Sequence, residues 1–490
     1  MESSINGNLP VSRINLTMLC DFYEFTMANG YLRCGFKDQI AYFDMFFRKV
    51  PDGGGFAICC GLEQVIEYIN SLKFEKEDID YLRNMGIFCE EFLDYLANFK
   101  FSCDVWAIPE GTPVFPGEPL ITVRGPVMQA QLLETMILLT INHQSLIATK
   151  SNRIVRAAEG RPVMEFGSRR AQGADGAING ARASYIAGCV GSACTIADRY
   201  YGVPSSGTMA HSWVQMFDSE LEAFKAYARL YPKNCMLLVD TYNVLKSGVP
   251  NAIRAFNEEV LPRGYRPTGI RIDSGDITYL SKKARRMLDE AGFDDVKICA
   301  SNSLDEYIIR DTILQGAKID SFGVGERLIT SKSSPVFGGV YKLTAIEDKD
   351  GSIIPKIKIS ENVTKITTPH FKKVWRLYGR DTGKAIADVI TVHDEIIDDS
   401  NCYLIFDPDY TWKQKNVYNF EAKELMQQIY KGGKLVYKLP GLKQIRQYCA
   451  DQINTIWDEV LRFENPHNYY VDLSQKLWDI KEQLINANKA

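Results

Sequence analysis

Six apolar runs in the middle of the chain end abruptly in polar, glycine or charged residues. They are Pro162–Gly173, Gly207–Trp213, Met236–Asn243, Gly269–Asp276, Lys297–Asp305 and Ser321–Arg327. With Phe166, His211, Asp240, Asp273, Ser301 and Phe322 marking the run ends, the gaps are 45, 29, 33, 28 and 21 residues. That spacing is close to the roughly 30 residues of a strand–helix–strand unit. The segments Asp218–Leu230, Ala252–Val260 and Thr278–Ala291 lie between the runs and carry helical periodicity with charged outer faces. Polar chemistry at the carboxyl ends of successive strands is how a β/α barrel builds an active site. The pattern therefore predicts an α/β enzyme with an irregular β/α barrel over about 161–343.

The flanks read differently. Leu16–Tyr31 has helical spacing, with Thr17 as its candidate N-cap. From Ala41 to Gly61 the order is strand, PDGGG turn, strand, and a helix follows over Gly61–Ser71. Phe101–Val123 alternates short β-like runs with Pro and Gly, as a small antiparallel sheet does. Ala130–Ala158 is helical and lacks Pro and Gly. Beyond Leu343, Lys356–Val392 alternates like strands, and the last ~75 residues are amphipathic and helix-rich. The expected organisation is an N-terminal α/β domain (1–160), the barrel (161–343), and a C-terminal region (344–490) packing on the N-terminal domain.

Composition narrows the partners. A net charge of −4 argues against nucleic acid or an anionic membrane as the main partner. No apolar run reaches the roughly 18 residues of a spanning helix, and the first residues lack an apolar signal core. The twelve cysteines include no CxxC pair, so they read as packed thiols in a reducing cytoplasm.

The chemistry sits at the run ends. Arg169 and Arg170 supply donors suited to phosphate, pyrophosphate or carboxylate. Asp273 and Asp276 flank Ser274-Gly275 and suit ribose hydroxyls or magnesium. Gly323 and Gly325 free backbone N–H groups for a phosphate, with Arg327 and Thr330 following. Each element has a plainer reading: a surface arginine pair, a turn, an N-cap. Placed together at strand ends, they point to a phosphorylated sugar substrate. His211, beside Ser212, is one of five histidines. It is either a satisfied structural imidazole or a nucleophile able to form a phosphoramidate. His143, inside a long helix, reads as structural.

DFYEFTMANGY, the F-G-x-R-R-A-Q-G of Phe166–Gly173, GTMAHSW, LLVDTYN, IRIDSGD, FGVGERLIT and VFGGVYKL occur in that order. Together they resemble nicotinate phosphoribosyltransferases in their longer form, from Leu16 to Leu343 and on through SENVTKITTP to VWRLYG. The resemblance implies a type II phosphoribosyltransferase barrel with a flanking split α/β domain and a C-terminal extension, working as a homodimer with shared active sites. It implies synthesis of nicotinate mononucleotide and pyrophosphate from nicotinate and phosphoribosyl pyrophosphate, with ATP as co-substrate and Mg2+ as cofactor.

Carried onto this chain, His211 matches the histidine that ATP phosphorylates, and Arg169 the arginine contacting the pyridine ring and phosphates. Tyr23 matches an aromatic that stacks on the base across the dimer interface, Asp273 a ribose-binding carboxylate, and Gly323 and Gly325 the 5′-phosphate loop. Phe166, Arg170, Ser212, Arg271 and Thr330 join the expected substrate-binding set; the metal ligands are not specified. The chain departs from the family pattern at Leu19-Cys20 before Asp21, at Glu326 in the phosphate loop, where Arg327 is the expected neutralising partner, and at His370, where glycine is common. The alternatives are a type II enzyme for nicotinamide or quinolinate, disfavoured by the two arginines, and a non-catalytic phosphosugar-binding barrel.

Overall fold

The computed structural model describes residues 15–362 and 365–488. Val363 and Thr364 of the SENVTKITTP segment lie outside the described residues. The described residues divide into two compact units, one holding residues 147–335 and the other 15–146 with 336–362 and 365–488.

The first unit carries six parallel strands: β1 (Val163–Glu165), β2 (Gly191–Ser192), β3 (Met236–Leu238), β4 (Gly269–Ile272), β5 (Lys297–Ser301) and β6 (Ser321–Val324). Their spatial order is β2-β1-β6-β5-β4-β3. Every sequential pair except β2–β3 is hydrogen-bonded, and the first strand pairs with the last, Val163–Glu165 against Phe322–Val324. Pairing of first with last is barrel connectivity, with one seam, β2 to β3, where the ladder is open. β-branched and aromatic strand side chains such as Val163, Ile270, Ile298 and Phe322 are buried, and Ile270 and Ile298 pack with the helix residues Phe224 and Leu288 in one apolar cluster.

The crossover helices start where their caps dictate. Ser219 accepts from the Glu222 N–H (3.2 Å) and Asp276 from the Tyr279 N–H (2.9 Å). Asp305 likewise accepts from the Ile308 N–H (2.9 Å). Asp276 is therefore a capping residue. The GTMAHSW segment is not a strand. Ser205 makes a single bridge to Ser192, and a short helix, His211–Gln215, begins at the histidine itself. The strand that precedes it is Gly191–Ser192, two small residues without an apolar run.

In the second unit the N-terminal and C-terminal parts share one sheet. Its strand Ile40–Phe47 pairs with Gly339–Glu347 on one side and Ile121–Pro126 on the other. Asp104–Ala107 pairs with Gln427–Lys431. The first helix runs Phe22–Arg33 rather than from Leu16, and Thr17 sits in a separate turn capped by Asn15 (3.0 Å). Residues 403–435 form short strands that the helix-like periodicity of the C-terminal region did not predict. His370 adopts φ 81°, the left-handed region, which explains glycine's suitability there. Its N–H donates to the Thr344 carbonyl (2.8 Å) and its own carbonyl accepts from Lys372 Nζ (2.7 Å), which holds the strained residue.

A four-stranded sheet in this unit encloses charge. Arg376 and Asp388 are wholly buried and joined by two hydrogen bonds of 2.8 and 2.6 Å. The Arg376 guanidinium also donates to the Pro113 carbonyl (2.8 Å) and lies over the rings of Phe115 and Tyr469. Glu118, equally buried, sits beside Asp388 with its carboxyl pKa raised well above 4.5, by burial first and by Asp388 second. A raised carboxyl pKa means that the folded state holds the proton more tightly. Its stabilising contribution is present at low pH and is lost as pH climbs above the unfolded value of about 4.5.

Two substitutions separate these roles. Arg376→Ala strands Asp388 in the interior and should cost about 3–5 kcal/mol. Glu118→Gln preserves the neutral shape and should leave stability near parental at low pH and above it at pH 8. Urea denaturation as a function of pH checks both; a strongly destabilised Glu118→Gln would show that the ionised carboxylate is the form the fold uses.

Candidate functional site

The carboxyl ends of the six strands gather most of the residues that the sequence singled out. Asp273 follows β4 directly, and its Oδ1 accepts from Arg271 Nη2 (3.0 Å) and from the Ser301 hydroxyl at the end of β5. Arg271 is fully engaged: Nε donates to Ser301 Oγ (2.7 Å), Nη1 reaches Thr208 Oγ1 (3.4 Å), and its guanidinium lies over the Phe166 ring. The His211 ring is set between two elements. Nδ1 lies 3.1 Å from Thr241 Oγ1, and Nε2 is 3.9 Å from Asp273 Oδ2. The imidazole is 41% exposed, open enough to meet a ligand and tethered enough to be aimed.

Asp240, at the end of β3, is 91% buried; Oδ2 accepts from Ser274 Oγ (2.5 Å), and Oδ1 is buried without a hydrogen-bond partner. A buried carboxylate oxygen with no donor is a costly arrangement unless a ligand or cation supplies one. Among the described residues no group of three or more His, Cys, Asp or Glu forms a ready metal cage.

The FGSRR turn follows β1. The Phe166 N–H donates to the Val324 carbonyl (2.7 Å), and residues 168–170 make a single tight turn. Arg169 and Arg170 are exposed and, among the described residues, neither forms an ion pair. Glycine is required on both sides of the β1–β6 contact. A Cβ at Gly167 would come 2.7 Å from the Gly325 carbonyl oxygen, and one at Gly323 would sit 2.6 Å from Phe166 Cε2. At Glu165 the carboxylate is buried and its pKa is raised by that burial, offset by hydrogen bonds from Ser192 and Gly167.

Of the phosphate-loop candidates, Gly323 lies inside β6, between β5 and β1, and Gly325 is the N-cap of the short helix Glu326–Ile329. Glu326 is neutralised by Lys332 (2.7 Å), whose hydrogen bond first and charge second hold its carboxyl pKa down, whereas Arg327 pairs with Asp305. The expected Arg327–Glu326 pairing is thus replaced by Lys332–Glu326. Thr330 Oγ1 donates to the Glu326 carbonyl (2.8 Å), which leaves its lone pairs available. Ser212 is exposed in the first turn of the helix that begins at His211.

Tyr23 belongs to the other unit. It is 42% exposed on the helix Phe22–Arg33, among exposed Leu19, Phe22 and Met27, and burial and Glu134 raise its pKa. Asp240, Thr241, Thr208 and Glu165 are the polar members that the sequence left without a role. Three of them lay in quoted motifs, Asp240 and Thr241 in LLVDTYN and Thr208 in GTMAHSW, where strand-end position was the available signal.

The set offers exposed cations, glycine-opened backbone, carboxylates facing hydroxyl-sized partners and an aimed imidazole. That suits binding a phosphorylated sugar and transferring groups at it.

Comparison with known proteins follows the same lines. Residues 18–142 match the nicotinate phosphoribosyltransferase (NAPRTase) N-terminal domain, and residues 371–481 the nicotinate phosphoribosyltransferase C-terminal domain. The chain is similar to nicotinate phosphoribosyltransferase of Bacillus subtilis (strain 168), 42% identical over 476 residues, covering 97% of this chain and 96% of that protein. The Homo sapiens nicotinate phosphoribosyltransferase is 30% identical over 527 residues, covering 96% of each. The crystal structure of human nicotinic acid phosphoribosyltransferase superposes with a TM-score of 0.85 at 28% identity, covering 95% of this chain and 99% of that one. That of nicotinate-nucleotide pyrophosphorylase from Pyrococcus furiosus shares the fold, with a TM-score of 0.70 at 22% identity, covering 93% of this chain and 99% of that one.

The contact between Phe166 and Gly323 can be probed directly. Gly323→Ala should destabilise the protein by about 1–3 kcal/mol through overpacking against the ring. Adding Phe166→Leu should restore most of that loss. Chemical denaturation of the two variants and the parent measures it; additive losses would mean that the two positions do not meet.

Proposed function

The chain belongs to the nicotinate phosphoribosyltransferase family, and we propose that it makes nicotinate mononucleotide and pyrophosphate from nicotinate and phosphoribosyl pyrophosphate, coupled to ATP hydrolysis through phosphorylation of His211. It is an enzyme of NAD salvage from nicotinate. The observation that carries the phosphohistidine reading is the imidazole held between Thr241 and Asp273 with nearly half its surface open.

Chemically, the reaction is displacement at the anomeric carbon. The bond from that carbon to pyrophosphate breaks, positive charge develops on the sugar, and the pyridine nitrogen lone pair forms the new bond. Arg169 and Arg170 meet the developing negative charge of the leaving group and the nicotinate carboxylate. Asp273 accepts from ribose hydroxyls, its orientation set by Arg271 and Ser301. The backbone at Gly323 and Gly325 and the Thr330 hydroxyl receive the 5′-phosphate, with Ser212 beside the phosphoryl site. Phe166, braced by Arg271, gives the ring an apolar wall. Asp240, with its unpartnered Oδ1, fits a role in holding Mg2+, which would neutralise pyrophosphate charge.

Tyr23 stacks on the base of a neighbouring subunit in a homodimer. Its exposure among Leu19, Phe22 and Met27 supports that assignment. Among the described residues no helix is long and apolar enough to cross a membrane. The twelve cysteines, none of them in a CxxC pair, support a reducing, cytoplasmic location.

Incubation with γ-labelled ATP should give an acid-labile phosphoryl group on the parent and none on His211→Ala. Equal labelling of the variant would remove His211 from this role. Mixing inactive Tyr23→Ala with inactive His211→Ala protomers should recover part of the activity in heterodimers. No recovery despite demonstrated subunit exchange would place Tyr23 outside the partner's site.

Substrate choice follows from charge. A charge-assisted hydrogen bond contributes about 1.5–3 kcal/mol, roughly ten- to a hundredfold in affinity. Nicotinate should therefore be strongly preferred to nicotinamide in steady-state turnover. Arg169→Ala should impair that turnover severely, and Arg169→Lys should not rescue it, because a point charge lacks the planar fork. Comparable turnover of nicotinamide would favour a nicotinamide-specific type II enzyme instead.

A further inference from the structure

We propose that Glu165 is a positioning residue for the pyridine substrate, holding the turn that carries Phe166, Arg169 and Arg170; this rests on the reaction proposed above. Glu165 ends β1 and is fully buried. Its two carboxylate oxygens serve two different elements. Oε1 accepts the Gly167 N–H, two residues along the same turn, and Oε2 accepts the Ser192 hydroxyl from β2 at 2.6 Å. Ser192 Oγ in turn accepts the Cys194 N–H (2.9 Å), so the far anchor of the carboxylate is itself fixed. The Ala193 N–H donates to the Glu165 main-chain carbonyl (2.8 Å), which locks this residue to β2 a second time.

The two arginines, by contrast, have no ion-paired side chain among the described residues to set their direction. Their placement comes from the backbone beneath them: the Arg170 N–H on the Gly167 carbonyl (2.7 Å), and Gly167 wedged against Ile329 and the Gly325 carbonyl. The Gly167 N–H is where the carboxylate enters that chain of constraints. Without it, a buried donor is left unsatisfied and the turn loses its tie to β2. A buried carboxylate is a poor filler of space, but two well-directed donors make it a strong clamp. Small errors in placing a substrate-contacting group weaken binding and chemistry steeply, so the clamp acts on function through Arg169 and Phe166.

The test combines amide hydrogen exchange with steady-state kinetics on the full chain, for Glu165→Ala, Glu165→Gln and Ser192→Ala. Loss of the clamp in Glu165→Ala should speed exchange at 167–171 and raise KM for nicotinate, each by about tenfold or more, with KM for ATP changed by less than about twofold. Glu165→Gln keeps an acceptor for Gly167 and an amide for Ser192, and should bring both readouts back to within about threefold of the parent. Ser192→Ala is the milder probe if Glu165→Ala fails to fold, and should raise the nicotinate KM by about threefold. Unchanged exchange at the turn, or equal losses toward nicotinate and ATP, overturns the proposal. A parent protein that does not turn over nicotinate would overturn the reaction instead, while exchange at 167–171 still decides whether Glu165 holds the turn.

Discussion

The pairing of the first barrel strand with the last, Val163–Glu165 alongside Phe322–Val324, is the constraint on which the site depends. It places the residues after β1 directly against those after β6, so the arginine turn and the glycine-opened loop face one another. The register tolerates no side chain at Gly323 because the Phe166 ring occupies that space, and none at Gly167 because the loop carbonyl does. Two glycines and one aromatic ring thus translate a backbone ladder into the spacing of a ligand site. The other strand ends then fall into place around it, each one strand spacing further round.

Charge in this region is arranged to leave some groups satisfied and others open. Arg271 has all its directions answered by Asp273, Ser301, Thr208 and an aromatic face, so it acts as scaffold for Asp273. Glu326 and Arg327, adjacent in sequence, are each neutralised by a different neighbour, Lys332 and Asp305. An acidic residue in a phosphate loop is then compatible with anion binding. What is left open is Arg169, Arg170, one oxygen of Asp240 and the exposed part of His211, which are the groups a charged ligand needs.

Much of this was legible in the chain. The repeat of apolar runs located five of the six strands, and residue type together with placement at the run ends marked Asp273, His211 and the arginines. The rest depended on long-range contacts that no local pattern encodes. Gly191–Ser192 becomes a strand only because Met164 and Glu165 offer it a ladder. His211 opens a helix, and residues 207–210 before it join no strand ladder among the described residues. Asp240 was visible as a run end, yet its burial depends on Ser274, which comes from the next strand–helix unit. Glu165 reads as a polar interruption of a short strand until its two donors are seen. At 370 the chain carries a histidine where left-handed backbone suits glycine, and hydrogen bonds to Thr344 and Lys372 hold it there.

The shared sheet of the second unit carries a consequence for how the chain is made. Strand Ile40–Phe47 emerges early in synthesis, but one of its two ladder partners, Gly339–Glu347, follows about 290 residues later. Asp104–Ala107 waits longer still for Gln427–Lys431. Residues 147–335 contain all the ladders of their own sheet, so they can complete while the sheet of the second unit still presents unpaired backbone. Such non-local pairing folds slowly, and an unfinished sheet edge is a template for association with other chains. Nascent-chain protection, by a chaperone or by the early antiparallel partner Ile121–Pro126, is therefore a demand that the topology itself imposes on the cell.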